Sequence, residues 1–170
     1  MRLRHVVASI ALTAGLCVAP AAQALAIQPC PEVNDPPDYK ISNGAKAWMA
    51  TNLRSDYLTG PGSITYNKTT TSEVNASITG TTEAEAGIIF AKASASLSVS
   101  VGGSYSKSDS WSYTAEVPAG KTMRLQQYKE GRSFTVVKYR IVPPCKVKNL
   151  WTKKVTAPVK SPSYLWNLVS

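Results

Sequence analysis

The chain has 170 residues, 44% of them hydrophobic and 17% charged, with a net charge of +9 and one histidine, His5. Confining that histidine to the first residues excludes Ser-His and Cys-His couples and histidine-containing zinc sites from the rest of the chain. No Gly-rich loop ends in the Lys-Ser/Thr that phosphate cradling needs, and the spacing of Asp35, Asp38, Asp56, Glu73, Glu83 and Glu85 favours no carboxylate pair. The composition therefore predicts a non-enzymatic protein without cofactor, metal or nucleotide.

Arg2, Arg4 and His5, the apolar run from Val6 to Ala19 and the small residues Ala24-Leu25-Ala26 have the layout of a secretory signal. The run falls short of the roughly 20 residues that a helical span takes. Residues 1–26 are expected to be cleaved, leaving 144 residues of the 170 as one secreted, extracellular β domain. Of the three cysteines only Cys30 and Cys145 survive, and an even pair in an exported protein predicts a disulfide.

Pro29, Pro31, Pro36 and Pro37 predict an extended arm over 27–38. Residues 45–57 carry Trp48, Leu53 and Tyr57 at mixed spacing and fit a short helix or a strand. A turn at Gly60-Pro61-Gly62 follows. From Ser63 to Thr79 every odd position is polar, while Ile64, Tyr66, Val74, Ala76 and Ile78 lie on the even face, which predicts a long half-buried strand. Thr82 and Glu85 have capping-box spacing, and Ala84, Ile88 and Ala91 recur at helical intervals, predicting a short helix over about 83–93. Its Ile88-Ile89-Phe90 cluster is a candidate membrane contact, although packing beneath a sheet is the commoner fate of such residues. From Ser94 to Glu116 the parity reverses: Ala95, Leu97, Val99, Val101, Tyr105, Trp111 and Tyr113 share the odd face, predicting a second strand that ends at Val117, with a bulge or bend at Gly102-Gly103.

Directly opposite residues of an antiparallel pair share a face, so even positions must meet odd ones. Partner numbers adding to 177 set Tyr66 against Trp111 and Lys68 against Asp109 as a cross-strand ion pair, whereas a sum of 175 would face Lys68 with Lys107. The sum of 177 is therefore expected. After a turn at Val117-Pro118-Ala119-Gly120, strands over 121–128 and 133–142 flank a Lys129-Glu130-Gly131-Arg132 loop. The fold class predicted is mainly β: an elongated antiparallel sheet with long Ser/Thr-rich amphipathic strands and one short helix between two of them.

Charge is unevenly placed. Residues 119–170 hold eleven Lys/Arg against Glu130 alone. Lys146, Lys148, Lys153 and Lys154 are candidate anion-binding residues for an acidic lipid surface, glycan or polymer, and solvation of exposed strands is the competing reading.

Over residues 63–128 the pattern resembles the aerolysin-like pore-forming proteins, the epsilon-toxin and mosquitocidal-toxin group. Ser63 to Thr79 and Ser94 to Val117 correspond to two long Ser/Thr-rich strands, Gly80 to Ala93 to the insertion segment between them, and Val117-Pro118-Ala119-Gly120-Lys121 to the turn back into the sheet. The resemblance implies a membrane-inserting module that oligomerises on a membrane and opens its tongue into a barrel. The insertion segment departs from the family in reading as a helix. The alternative is a non-lytic secreted binding module that uses the basic C-terminal half and Trp151, Trp166 or Tyr128 to hold an anionic polymer, glycan or surface.

Overall fold

A computed structural model describes residues 30–170. The signal peptide expected over 1–26 lies outside the described residues. A 3-10 turn at Pro31–Asn34 is followed by β1 (Asp38–Arg54), β2 (Leu58–Thr59), β3 (Gly62–Asn75), α1 (Glu83–Leu97), β4 (Ser104–Val117), β5 (Thr122–Val142), β6 (Lys146–Pro158) and β7 (Tyr164–Val169). The fold is mainly β and antiparallel, with one α-helix between two long strands, as the alternation predicts. Cys30 and Cys145 are bridged, their Cα atoms 5.5 Å apart.

β5 is the axis of a five-stranded sheet. It carries β1 on one edge, β7 along Arg124–Lys129 and β6 along Gly131–Val142 on the other, and β2 at its start. The stretch Lys129-Glu130-Gly131-Arg132, expected as a loop between two strands, runs instead through the middle of β5. Both edges are paired there, with Trp48 opposite Glu130 and Pro158 opposite Gly131, and Lys129 is fully buried. Pairing on both sides overrides the turn-like composition.

β1 resolves residues 45–57 as mostly strand. A bulge at Asn43-Gly44, with Asn43 at φ 54°, sets two residues opposite Phe134 and so moves the odd-numbered side chains from one face to the other. Before it, Tyr39 and Ile41 join a core with Ile89, Ala93, Phe134, Val136 and Val155; after it, Leu53 joins a second core with Ile64, Tyr66, Val117 and Leu125. β5 achieves the same by changing parity, burying Leu125, Gln127 and Lys129 in its first half and Phe134 and Val136 in its second. Because alternate residues of a strand point to opposite faces, α1 covers one side of the β1–β5 pair and the β3–β4 ribbon covers the other.

The β3–β4 ribbon pairs with partner numbers adding to 179, from Gly62 opposite Val117 to Asn75 opposite Ser104. Even meets odd, but the register lies two residues from the expected 177. Tyr66 faces Tyr113, Lys68 faces Trp111, and Asp109 faces Thr70, so the Lys68–Asp109 pair does not form across the ribbon. Hydroxyls decide the matter. Thr65 with Thr114, Thr69 with Ser110 and Thr71 with Ser108 bond at 2.9, 2.8 and 2.6 Å, and Asp109 takes its cation from Lys107 in its own strand at 2.7 Å. Cross-strand pairs of this kind contribute about 0.2–1 kcal/mol each, so three of them outweigh one exposed ion pair.

The strands are shorter and the helix longer than predicted: β3 stops at Asn75 rather than Thr79, β4 starts at Ser104 rather than Ser94, and α1 runs on to Leu97. Its start is the capping box read from Thr82 and Glu85. It continues past residue 93 because Ile89, Ala93 and Leu97, four residues apart, form one stripe against the first core. That burial outweighs the period-two pattern of Ser94 to Val101. A bend at Gly103 then leads into β4.

Candidate functional site

Three features stand out: the segment between β3 and β4, the basic stretch of β6, and the aromatic residues between ribbon and sheet. The segment is held to the body by buried Ile89, Ala93 and Val101 and by a set of polar contacts. Thr82 Oγ1 accepts from the Glu85 amide at 3.2 Å and the Glu85 carboxylate accepts from the Thr82 amide at 3.4 Å. That carboxylate also accepts from the Lys138 ammonium on β5 and from the Tyr39 hydroxyl at 3.0 Å. The Lys138 bond, then the Tyr39 bond, hold the Glu85 carboxyl below its ordinary range. Lys92 meets Asp38 at 2.5 Å, and this bond lowers the Asp38 carboxyl likewise.

Of the predicted contact cluster, Ile88 is 48% exposed, Ile89 is fully buried in the first core, and Phe90 packs half-buried against it. Packing beneath the sheet claims two of the three residues. Ser94 Oγ donates to the Phe90 carbonyl at 2.8 Å and accepts from the Val101 amide at 3.0 Å, folding the end of the segment back on itself. Ser98, the residue that ends α1, lies at φ 52°, a left-handed conformation that costs a non-glycine residue about 1 kcal/mol.

The four basic candidates separate. Lys153 is tied down: its ammonium donates to the carbonyls of Thr79 and, at 3.3 Å, Gly80, and lies 4.9 Å from the Trp151 ring centre. It clamps the start of the segment to β6. Lys154 is opposite Thr135, on the other face of the sheet from Lys153. Lys146 and Lys148 are exposed beside Val147, and Arg140 sits opposite Lys148, so these three cations share one surface near the disulfide.

Trp151 packs on Tyr39 with ring centres 6.0 Å apart. Trp166 lies between Tyr66 at 4.9 Å and Tyr113 at 5.9 Å, nearly parallel to the latter. Both indoles are thus used in joining elements. Tyr128 remains half-buried on β5. The residue that the sequence concealed is Lys129. Its buried ammonium sits 4.5 Å from the Tyr105 ring centre and 5.2 Å from that of Tyr164, and donates to the carbonyls of Ser161 and Ser163. Burial pushes its pKa down. Its neighbours Glu130 and Gly131 gave it the appearance of a turn residue, and the groups that account for its position, the rings of Tyr105 and Tyr164 and the carbonyls of Ser161 and Ser163, are all distant in sequence.

No family model matches the chain, and no curated protein or solved structure matches it either.

Proposed function

We propose that the protein is a secreted, non-enzymatic membrane-inserting protein in which residues 76–103 leave the body and extend the β3–β4 ribbon into one longer hairpin, as in the aerolysin-like pore formers it resembles. One observation carries the reading. When the observed sum of 179 is continued past Asn75 and Ser104, the faces stay matched to the tip. Ile78 then meets Val101, Thr82 meets Leu97, Ala84 meets Ala95, Ala86 meets Ala93 and Ile88 meets Ala91, leaving Ile89-Phe90 as a two-residue apolar turn. The opposite face collects Ser77, Thr79, Thr81, Glu83 and Glu85 against Gly102, Ser100, Ser98, Ser96 and Ser94.

A helix has no reason to keep a strand register, and this one keeps it over its whole length. Residues 76–88 and 91–103 would each span about 40 Å at 3.3 Å per residue, more than the 30 Å or so of a hydrocarbon core. Open strand edges are not tolerated in lipid, so the hairpins of several copies would have to close into a barrel with the serine face toward water. Release must uncover Ile89, Ala93 and Val101 and break the contacts of Glu85, Lys92 and Lys153, a cost that the strained Ser98 lowers by about 1 kcal/mol.

The test uses two lysines on one helix. Ala95 and Ser96 are both exposed on α1, so Ala95→Lys and Ser96→Lys should fold alike. In the hairpin the first faces lipid, at a cost of about 2–4 kcal/mol per strand near mid-bilayer, and the second faces water. Dye leakage from liposomes and detergent-resistant oligomers should be lost in A95K and kept in S96K. Equal behaviour of the two variants would refute the reading. The exposed trio Arg140, Lys146 and Lys148 favours the second reading, a non-lytic module for an anionic polymer or surface, which predicts salt-sensitive binding with no leakage from any variant.

A further inference from the structure

Over its first half the even-numbered side of β5, which α1 covers farther along, is overlaid by no helix or second sheet among the described residues, and Gln126 there is buried against the carbonyls of Thr51 and Leu53. Three apolar side chains protrude there or at its margin. Trp48, opposite Glu130, is 39% exposed; Leu165, opposite Tyr128, is 41% exposed; and Tyr57 is 53% exposed. Tyr128 lies half-buried between Ala50 and Leu165.

Cations frame them. Lys46 is opposite Arg132 and Arg54 is opposite Gln126, all on this side. The Lys46 ammonium lies 4.8 Å from the Trp48 ring centre, and the Arg124 guanidinium lies 4.9 Å from that of Tyr57. The acids are Glu130, whose carboxylate is engaged by Arg132 at 2.7 Å and Lys46 at 3.7 Å, and Asp56 beside Tyr57. Four cations against two acids, one already neutralised, leave the face positive.

Leu165 decides the class of partner. A glycan would stack on the rings and bond to the charged groups but would gain nothing from an exposed aliphatic side chain. The interfacial zone of a bilayer takes all three kinds of group: aliphatic chains below, Trp and Tyr at the boundary, and Lys or Arg reaching the phosphates. We propose that this face, with Trp48, Tyr128 and Leu165 at its centre and Lys46, Arg54 and Arg132 around them, docks reversibly on an anionic phospholipid bilayer. It stands apart from residues 76–103 and holds whether or not that segment inserts.

The experiment is co-sedimentation of the full disulfide-bonded chain with phosphatidylcholine vesicles, with and without phosphatidylserine. The parent should bind the anionic vesicles, and less so as salt rises from about 0.05 M to about 0.5 M. The W48S/L165S double variant should lose roughly tenfold or more in partitioning while still unfolding cooperatively, since neither side chain belongs to either buried core. K46E should weaken binding to the anionic vesicles, and V147S, altering an exposed side chain elsewhere, should not. Full binding by W48S/L165S, an equal loss in V147S, or retention on an acidic glycan without vesicle binding would overturn the proposal. Leakage separates the two readings: vesicle binding without leakage by the parent sinks insertion and leaves docking standing, whereas leakage undiminished in W48S/L165S does the reverse.

Discussion

The Ala76 amide donates to the Gly103 carbonyl at 2.7 Å, and these two residue numbers add to 179, the sum that governs the whole β3–β4 ribbon. The ladder has thus taken its first step beyond the last paired strand residues. Val101 then leaves it to bridge with Val159, and the Ser77 amide goes to the Thr156 carbonyl at 2.8 Å. Two competing sets of backbone partners meet at this point, one along the ribbon and one toward β6.

The register can be checked with cysteine pairs. Directly opposite side chains have Cβ atoms about 4.5–5.5 Å apart, and diagonal ones about 7–8 Å. Thr65→Cys with Thr114→Cys should therefore oxidise readily, and Thr65→Cys with Ser112→Cys, the pairing required by a sum of 177, should not. Peptide mapping by mass spectrometry reads the outcome, with the Cys30–Cys145 bridge as internal reference.

Acid should loosen α1. The Glu85 carboxyl lies below its ordinary value of 4.5 and the Asp38 carboxyl below 3.8, chiefly through Lys138 and Lys92. A depressed carboxyl stabilises fully above its unfolded value and loses that contribution as pH falls through the folded one. Amide exchange over 83–97, corrected for intrinsic rates, should be slow at pH 6 and accelerate only below about pH 4. Glu85→Gln at pH 6 should already exchange faster than the parent, with a weaker dependence on acid. Parent-like protection in E85Q would mean that burial of Ile89 and Ala93 alone holds the helix.

Lys129 should be costly to truncate. Lys129→Ala removes the contacts to both tyrosine rings and leaves a cavity, a loss of about 2–4 kcal/mol, while the carbonyls of Ser161 and Ser163 keep the amides of Ser163 and Glu130 as donors. Lys129→Met keeps most of the volume and no longer buries a charge, so its cost should stay below about 1.5 kcal/mol. Urea unfolding midpoints distinguish the two, and a stable alanine variant would remove Lys129 from the joint between ribbon and sheet.

The sequence reveals most where one physical signal acts alone. Alternation from Ser63 to Asn75 and from Ser104 to Glu116 marks a two-faced ribbon because nothing else competes there, and Thr82 with Glu85 marks the helix start because capping is local. Face parity limits the register to odd sums but cannot choose between 177 and 179; that choice rests on hydroxyl pairs whose individual energies are small. The end of α1 is hidden because Ser94 to Val101 carries a strand pattern and only packing against the core selects the helix. β1 is hidden by its own bulge, which breaks the alternation at Asn43-Gly44. Among the candidate site residues, exposure was legible for Lys146 and Lys148 but not the capture of Lys153 by Thr79 and Gly80, a contact across more than seventy residues.

The bulge at Asn43-Gly44 also makes the two cores separable. By turning β1 over partway along, it assigns Ile89, Ala93 and Val101 to the first core and leaves the second without any member from residues 76–103. Departure of the helix would uncover one side of the sheet only. The base of the ribbon, seated through Ile64, Tyr66 and Val117 on the far side, would keep its footing, so release of residues 76–103 would leave the ribbon's seat on the sheet intact.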